Sequence, residues 1–301
     1  MELIAASRIV RAQQRVAAAR PYSERMMEAL KHIAHSGVTF HHRMLEVEAT
    51  SDIRAIGYIV VTADRGLAGA YNSNVIRAAE RSMRRETGMG RVSKLYIVGK
   101  KGTNYFRYRG HRIERSFLGV TDQPRYEQAR EIGETVTQAF EDREIDVVEI
   151  VYTQFLSAGT QRVVVRRLVP ADIKALTEVP EGERPQGDYE YEPGPVAILD
   201  ELLPKYVQAR IYAALLEASA SEHAARQRAM KSATDNADEL KTNLTRVMNR
   251  ARQDAITTEI MEIVGGAEAL RQAGRGEGDL VGPDLLVDDM FTDRFDTGDF
   301  S

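Results

Sequence analysis

Apolar residues follow two rhythms along this chain, a helical one at both ends and a strand-like one in between. Residues 1–35 contain no glycine and one proline, Pro21. Ile9, Val16, Met26, Leu30 and Ile33 mark one face there at loosely helical spacing. Alanine fills much of the remainder and favours helix. Pro21 removes a backbone donor, which predicts a bend or the start of a second helix. From Val196 to Val264 the only proline is Pro204, and glycine is absent. Within that run Ala233, Ala237, Leu240, Leu244, Val247 and Ala251 step alternately by four and three, the seam of a coiled coil. At about 1.5 Å per residue such a helix approaches roughly 100 Å, more than a globular core can bury. Its stripe needs a partner. The expected one is the N-terminal helix, running antiparallel, with Met1–Arg15 beside Leu244–Ile260 and Ala5, Ala12 and Ala19 permitting close approach. Two separate helices packed on a globular domain are the alternative.

The middle of the chain has another pattern. "IGYIVV" (56–61), "KLYIVG" (94–99), "DVVEIVYT" (146–153) and "QRVVVRRLVP" (161–170) are rich in Val, Ile and Tyr and predict strands. Helical stretches near Asn74–Glu86 and Arg125–Asp142 separate them, so a small, open, mostly parallel sheet is expected. Residues 171–195 hold four of the nine prolines and read as a loop returning to the long helix. The tail after Leu270 is glycine-rich and strongly acidic, a composition that favours disorder. The expected fold class is α/β. A long antiparallel two-helix coiled coil, formed by the N- and C-terminal helices, flanks a central Rossmann-like α/β domain. The expected divisions are 1–50, 51–195, 196–270 and 271–301.

Composition removes several function classes. The net charge of −4 gives no nucleic-acid signal. Absence of cysteine rules out disulfides and thiolate metal sites. No run of 18 uncharged apolar residues exists, so no spanning helix and no direct membrane insertion are expected. One loop invites a nucleotide reading: "VVTADRGLAGAYNSNVIR" (60–77) passes from strand through Gly66 and Gly69 into helix. A Walker loop needs Lys and then Ser or Thr after its second glycine, whereas Ala70 and Tyr71 follow Gly69. The dinucleotide fingerprint G-x-G-x-x-G is also missing. Backbone amides at a helix start can still hold an anion, but a sharp strand-to-helix turn explains the glycines. His32, His35, His41 and His42 lack further zinc ligands, the acidic pair Asp288–Asp289 lacks calcium-loop spacing, and no G-x-S-x-G occurs. No cofactor, metal or catalytic residue is expected.

Three stretches, in order, resemble the gamma subunit of the rotary ATP synthases: "MELIAASRIVRAQ" (1–13), "TADRGLAGAYNSN" (62–74) and "SEHAARQRAMKSATDNADELKTNLTRVMNRARQDAITTEIMEIVGGAEAL" (221–270). The resemblance covers residues 1 to about 270. It implies a non-catalytic central shaft inside a ring of alpha and beta subunits, turned by proton flow through a membrane ring. It also implies a peripheral place on the cytoplasmic face of a bacterial membrane. Three departures stand out. Family members carry further helix before the segment that starts here at Met1, so a truncated or late-assigned start is expected. Ala68 sits where relatives commonly have Cys, and the acidic tail has no recognised counterpart.

Contact roles follow from the resemblance. Arg252, Gln253 and Thr257 in "ARQDAIT" match a polar catch against a beta-subunit loop. Arg65 in "DRGL" and Met1 lie where the shaft meets the acidic beta-subunit lever. Tyr189, Tyr191 and Glu192 in "YEYEPGP" match the foot on the membrane c-ring and epsilon subunit. Arg8, Arg11 and Arg15 share a helix face that either meets acidic partners or is solvated. Two other classes stay open at this point, a static coiled-coil scaffold and a nucleotide-binding enzyme.

Overall fold

A computed structural model describes residues 2–34, 42–45, 53–171, 192 and 194–274. Two compact units emerge, Met1–Asn236 and Ala237–Ser301.

The first unit is built on a five-stranded sheet in the order β3-β2-β1-β4-β5. Its strands are β1 (Ala55–Val61), β2 (Val92–Val98), β3 (Ile113–Phe117), β4 (Val147–Phe155) and β5 (Gln161–Val169). The first four pair in parallel and β5 returns antiparallel to β4. β1 is central and buried on both faces, which is why its sequence runs apolar without alternation. Ile59 and Val61 enter one core layer, whereas Tyr58 and Val60 enter the other. β5 carries Arg162, Arg166 and Arg167 among its valines, as an edge strand should carry charge.

Helices α2 (Tyr71–Thr87), α3 (Lys100–Tyr108) and α4 (Tyr126–Glu141) cover the sheet. α2 buries Val75, Ile76, Ala79 and Met83 on one side, and α4 buries Ala129, Ile132, Val136 and Phe140 on the other. Both stripes follow the helical period. β3 and α3 are the two elements that the apolar pattern does not predict. "IERSF" carries two charges in five residues, and "KKGTNYFRY" is short and contains Gly102.

The terminal helices are α1 (Glu2–Ala34) and α5 (Pro195–Gly274). α1 passes through Pro21 without interruption, so no second helix starts there. Its stripe Ala5, Ile9, Ala12, Met26, Leu30 and Ile33 is buried. α5 first buries Leu199, Leu203, Val207, Ile211 and Leu215 in the first unit, sharing a core layer with Leu30 and Ile33 of α1. From residue 232 onward its side chains are exposed. Leu240, Leu244 and Val247 are 58%, 58% and 64% exposed, and Ala233, Ala237 and Ala251 also face solvent. Ala5, Ile9 and Ala12 are buried in the first unit, where Arg8 meets Asp122. The acidic tail from residue 275 and the proline-rich segment 172–191 lie outside the described residues.

Candidate functional site

The stretch that follows β1 builds an interlock of α1, the sheet edge and α5. Thr62 begins it. Its hydroxyl donates to the Val98 carbonyl at 2.9 Å and accepts from the Gly102 amide at 2.9 Å, joining β1, β2 and α3. Gly99 makes this possible: with φ at +94°, a Cβ there would lie 2.2 Å from the Thr62 carbonyl oxygen. The Asn72 side chain then closes the turn by accepting from the Ala63 amide at 2.8 Å. Asp64 accepts from the Lys100 amide and from both the amide and hydroxyl of Thr121. Gly66 and Gly69 thus sit in a turn held by side chains, and Gly69 supplies a left-handed φ of +54°.

Asp122, fixed by that turn, gathers basic side chains from three elements, two of them charged arginines. The Arg8 guanidinium of α1 lies 2.5 Å from its carboxylate, Arg65 lies 3.8 Å away, and His223 Nε2 of α5 lies 3.8 Å away. One turn further along α5, Arg226 bonds Glu222 and donates to the Gly66 carbonyl at 3.4 Å. The Ser219 hydroxyl donates to the Asp122 carbonyl at 3.4 Å. α5 is therefore fastened to the α/β body by directional polar bonds as well as by apolar contact.

Burial sets the protonation states in this cluster. His223 is 2% exposed, and its pKa is pushed down to about 4 by burial and then by Arg226. It is neutral at pH 7. Burial pushes the Glu222 carboxyl upward despite the opposing Arg226. The Tyr71 hydroxyl is raised well above its ordinary value by burial and by Glu222.

The residues expected to meet partners fall in several places. Arg65 is on the interlock and exposed, reaching toward Asp122. Arg252, Gln253 and Thr257 are exposed on α5 in the second unit, where the Thr257 hydroxyl donates to the Gln253 carbonyl at 2.9 Å. Glu192 is exposed, whereas Met1, Tyr189 and Tyr191 lie outside the described residues. Of the three arginines on α1, Arg8 turns inward to Asp122 while Arg11 and Arg15 face solvent. Glu222 and His223 were not among the expected site residues. Their signal was present: Glu222 continues the stripe of Leu215 and Ala218 at helical spacing, and a charge on such a stripe needs a buried partner.

The family described as ATP synthase matches residues 1–270. Curated relatives named ATP synthase gamma chain are 47% identical over 274 residues in Frankia casuarinae, spanning 90% of this chain and 91% of that one. In Acidothermus cellulolyticus the relative is 48% identical over 281 residues, spanning 91% of each. The chain belongs to the ATP synthase gamma chain family. Solved structures agree at the level of the fold. A chain of the Tetrahymena thermophila mitochondrial ATP synthase central stalk and c-ring superposes with a TM-score of 0.58 at 23% identity, covering 78% of this chain and 97% of that one. A chain of the Euglena gracilis mitochondrial enzyme, in an assembly with F1 and the c-ring, gives 0.58 at 17% identity, covering 95% and 99%. The interlock thus occupies the body of a gamma chain fold.

Proposed function

We propose that this chain is the central rotor shaft of a proton-translocating ATP synthase, carrying rotation between a membrane ring and a catalytic hexamer of alpha and beta subunits. Membership of the gamma chain family gives the frame, and one observation carries the reading. The second unit's helical segment presents apolar side chains in opposing directions. At about 100° per residue, Ile256, Ile260 and Ile263 point away from the direction of Leu240, Leu244 and Val247, and all six are exposed. A helix that is apolar on several sides is made to be enclosed. A flat scaffold contact would need one stripe only.

The interlock suits the same role. Torque applied to α5 would tend to slide it against the sheet. The Arg226–Gly66 and Ser219–Asp122 hydrogen bonds, with His223 beside Asp122, resist that slip directionally. Catalysis belongs to the partners, because the loop after β1 lacks Walker chemistry. The shaft acts by touching each beta subunit differently, since only differential contact energy shifts an equilibrium between conformations. Met1, Arg65, Arg252, Gln253 and Thr257 are the proposed beta-subunit contacts. Tyr189, Tyr191 and Glu192 are the proposed foot on the c-ring and epsilon subunit. Among the described residues no helix is long and apolar enough to cross a membrane, which fits a peripheral place on the cytoplasmic face. Co-purification of the tagged chain with alpha and beta subunits tests the reading. Recovery of the chain without them, from cells that make all three, overturns it.

A further inference from the structure

In the second unit, α5 has an exposed face opposite its coiled-coil seam. At about 100° per residue, Arg246, Arg250, Arg252, Ile256, Ile260 and Ile263 fall within a sector of about 160°. All six are exposed. The acidic residues of the same stretch, Asp254, Glu259 and Glu262, fall outside that sector. None of the three arginines is in an ion pair among the described residues. The face is therefore both apolar and positive, and no described residue neutralises it.

Its complement lies in the same chain. Residues 276–301 carry eight acidic side chains and one basic, Arg294. In "PDLLVDDMFTDRFD" (283–296), Leu286, Val287, Met290, Phe291 and Phe295 are interleaved with aspartates. Acid on an apolar background suits the arginine and isoleucine face, and the Asp254–Glu262 side repels it. This stretch lies beyond residues 1–270, which the family matches.

The tether permits the meeting. Ile256 lies 18 residues before Gly274, about 27 Å back along the helix. Asp284 lies ten residues after Gly274, and a segment of that length spans up to about 35 Å. Gly274, Gly276 and Gly278 at the junction leave the backbone free to reverse. A tethered partner is also present at an effective concentration of about 1 mM, which favours it over a free acidic protein.

We propose that the acidic tail, residues 276–301, turns back onto this face of α5 and masks it as an autoinhibitory strap. The masked face includes Gln253 and Thr257 as well as Arg252, so alpha and beta subunits must displace the tail to seat there. That consequence rests on the shaft reading; the contact itself does not.

Cross-linking of the full chain carrying Asn249→Cys and Thr292→Cys tests the contact, with no native cysteine to compete. A flexible bismaleimide is expected to join this pair within one chain about tenfold faster than Thr258→Cys with Thr292→Cys. Thr258 is nearer the tether but on the seam side, so an undocked tail would meet it at least as often. Raising salt should erase the difference. Arg246→Glu with Arg250→Glu should erase it too, and adding Asp288→Lys with Asp289→Lys should restore it. That rescue separates charge pairing from damage to the helix. Asp288→Asn with Asp289→Asn and Asp293→Asn should bind alpha and beta subunits several-fold faster than the parent. Equal cross-linking rates at Asn249 and Thr258 overturn the contact, as does a failed rescue. Joined dimers in place of monomers would assign the tail to a second copy and overturn the strap. A fast Asn249 cross-link with unchanged subunit binding overturns the masking. No subunit binding by either protein would fail the shaft reading and the masking with it, while the cross-link still decides the contact.

Discussion

His223 shows how a single side chain ties the shaft helix to solution conditions. Burial and Arg226 hold its imidazole neutral down to about pH 4, whereas the unfolded chain takes up that proton near 6.5. Its folded pKa is lowered, so the stability it contributes is present above pH 6.5 and is lost as pH falls from 6.5 toward 4. Urea unfolding across that range should show the slope, and His223→Gln should remove it. Glu222 works in the opposite sense, because its raised carboxyl costs stability as pH rises out of the ordinary carboxylate range. Comparing the His223→Gln variant with its parent isolates the imidazole. A parallel slope in both proteins would show that the histidine is not the titrating group. At the catch, Arg252 and Gln253 are exposed, so replacing both by Ala should leave the unfolding free energy of the isolated chain within about 0.5 kcal/mol. The charged hydrogen bonds they offer a partner are worth about 1.5–3 kcal/mol each. Slower turnover or weaker assembly of the complex is therefore expected, and unchanged values for both would remove these residues from the mechanism.

Elements were legible in the sequence where one force dominated. The four Val- and Ile-rich strands, α2 and α4 are visible because sheet burial writes apolar runs and helix burial writes a period. β3 is hidden because an edge strand with one buried end residue, Phe117, has no need of an apolar run. Pro21 reads as a breaker, yet α1 continues through it, its face fixed by Met26, Leu30 and Ile33 in the core. The interlock was partly visible. The "DRGL" turn was evident, but Asp122 and His223 are separated by about a hundred positions, and no local pattern brings them together. α5 shows the same contrast within one helix. Leu203 is buried in the core, so Leu203→Ala should cost about 2–5 kcal/mol in chemical denaturation of the isolated chain. Leu244 is exposed, so Leu244→Gln should change that value by less than about 0.5 kcal/mol. The same Leu244→Gln change should weaken association with alpha and beta subunits in a pull-down. Equal destabilisation by the two substitutions would mean that Leu244 already has an internal partner.

For the molecule as a whole, the central claim is that the chain turns inside its complex. Assembly alone does not separate a rotor from a static scaffold, since both would co-purify with the hexamer. Rotation does. A bead attached through a cysteine introduced at Glu192, in a chain with no native cysteine, reports the motion directly once the alpha and beta subunits are fixed to a surface. Addition of ATP is expected to produce sustained rotation in one direction, stopping when nucleotide is exhausted. Continued ATP hydrolysis by the assembled complex with the bead stationary would contradict the shaft.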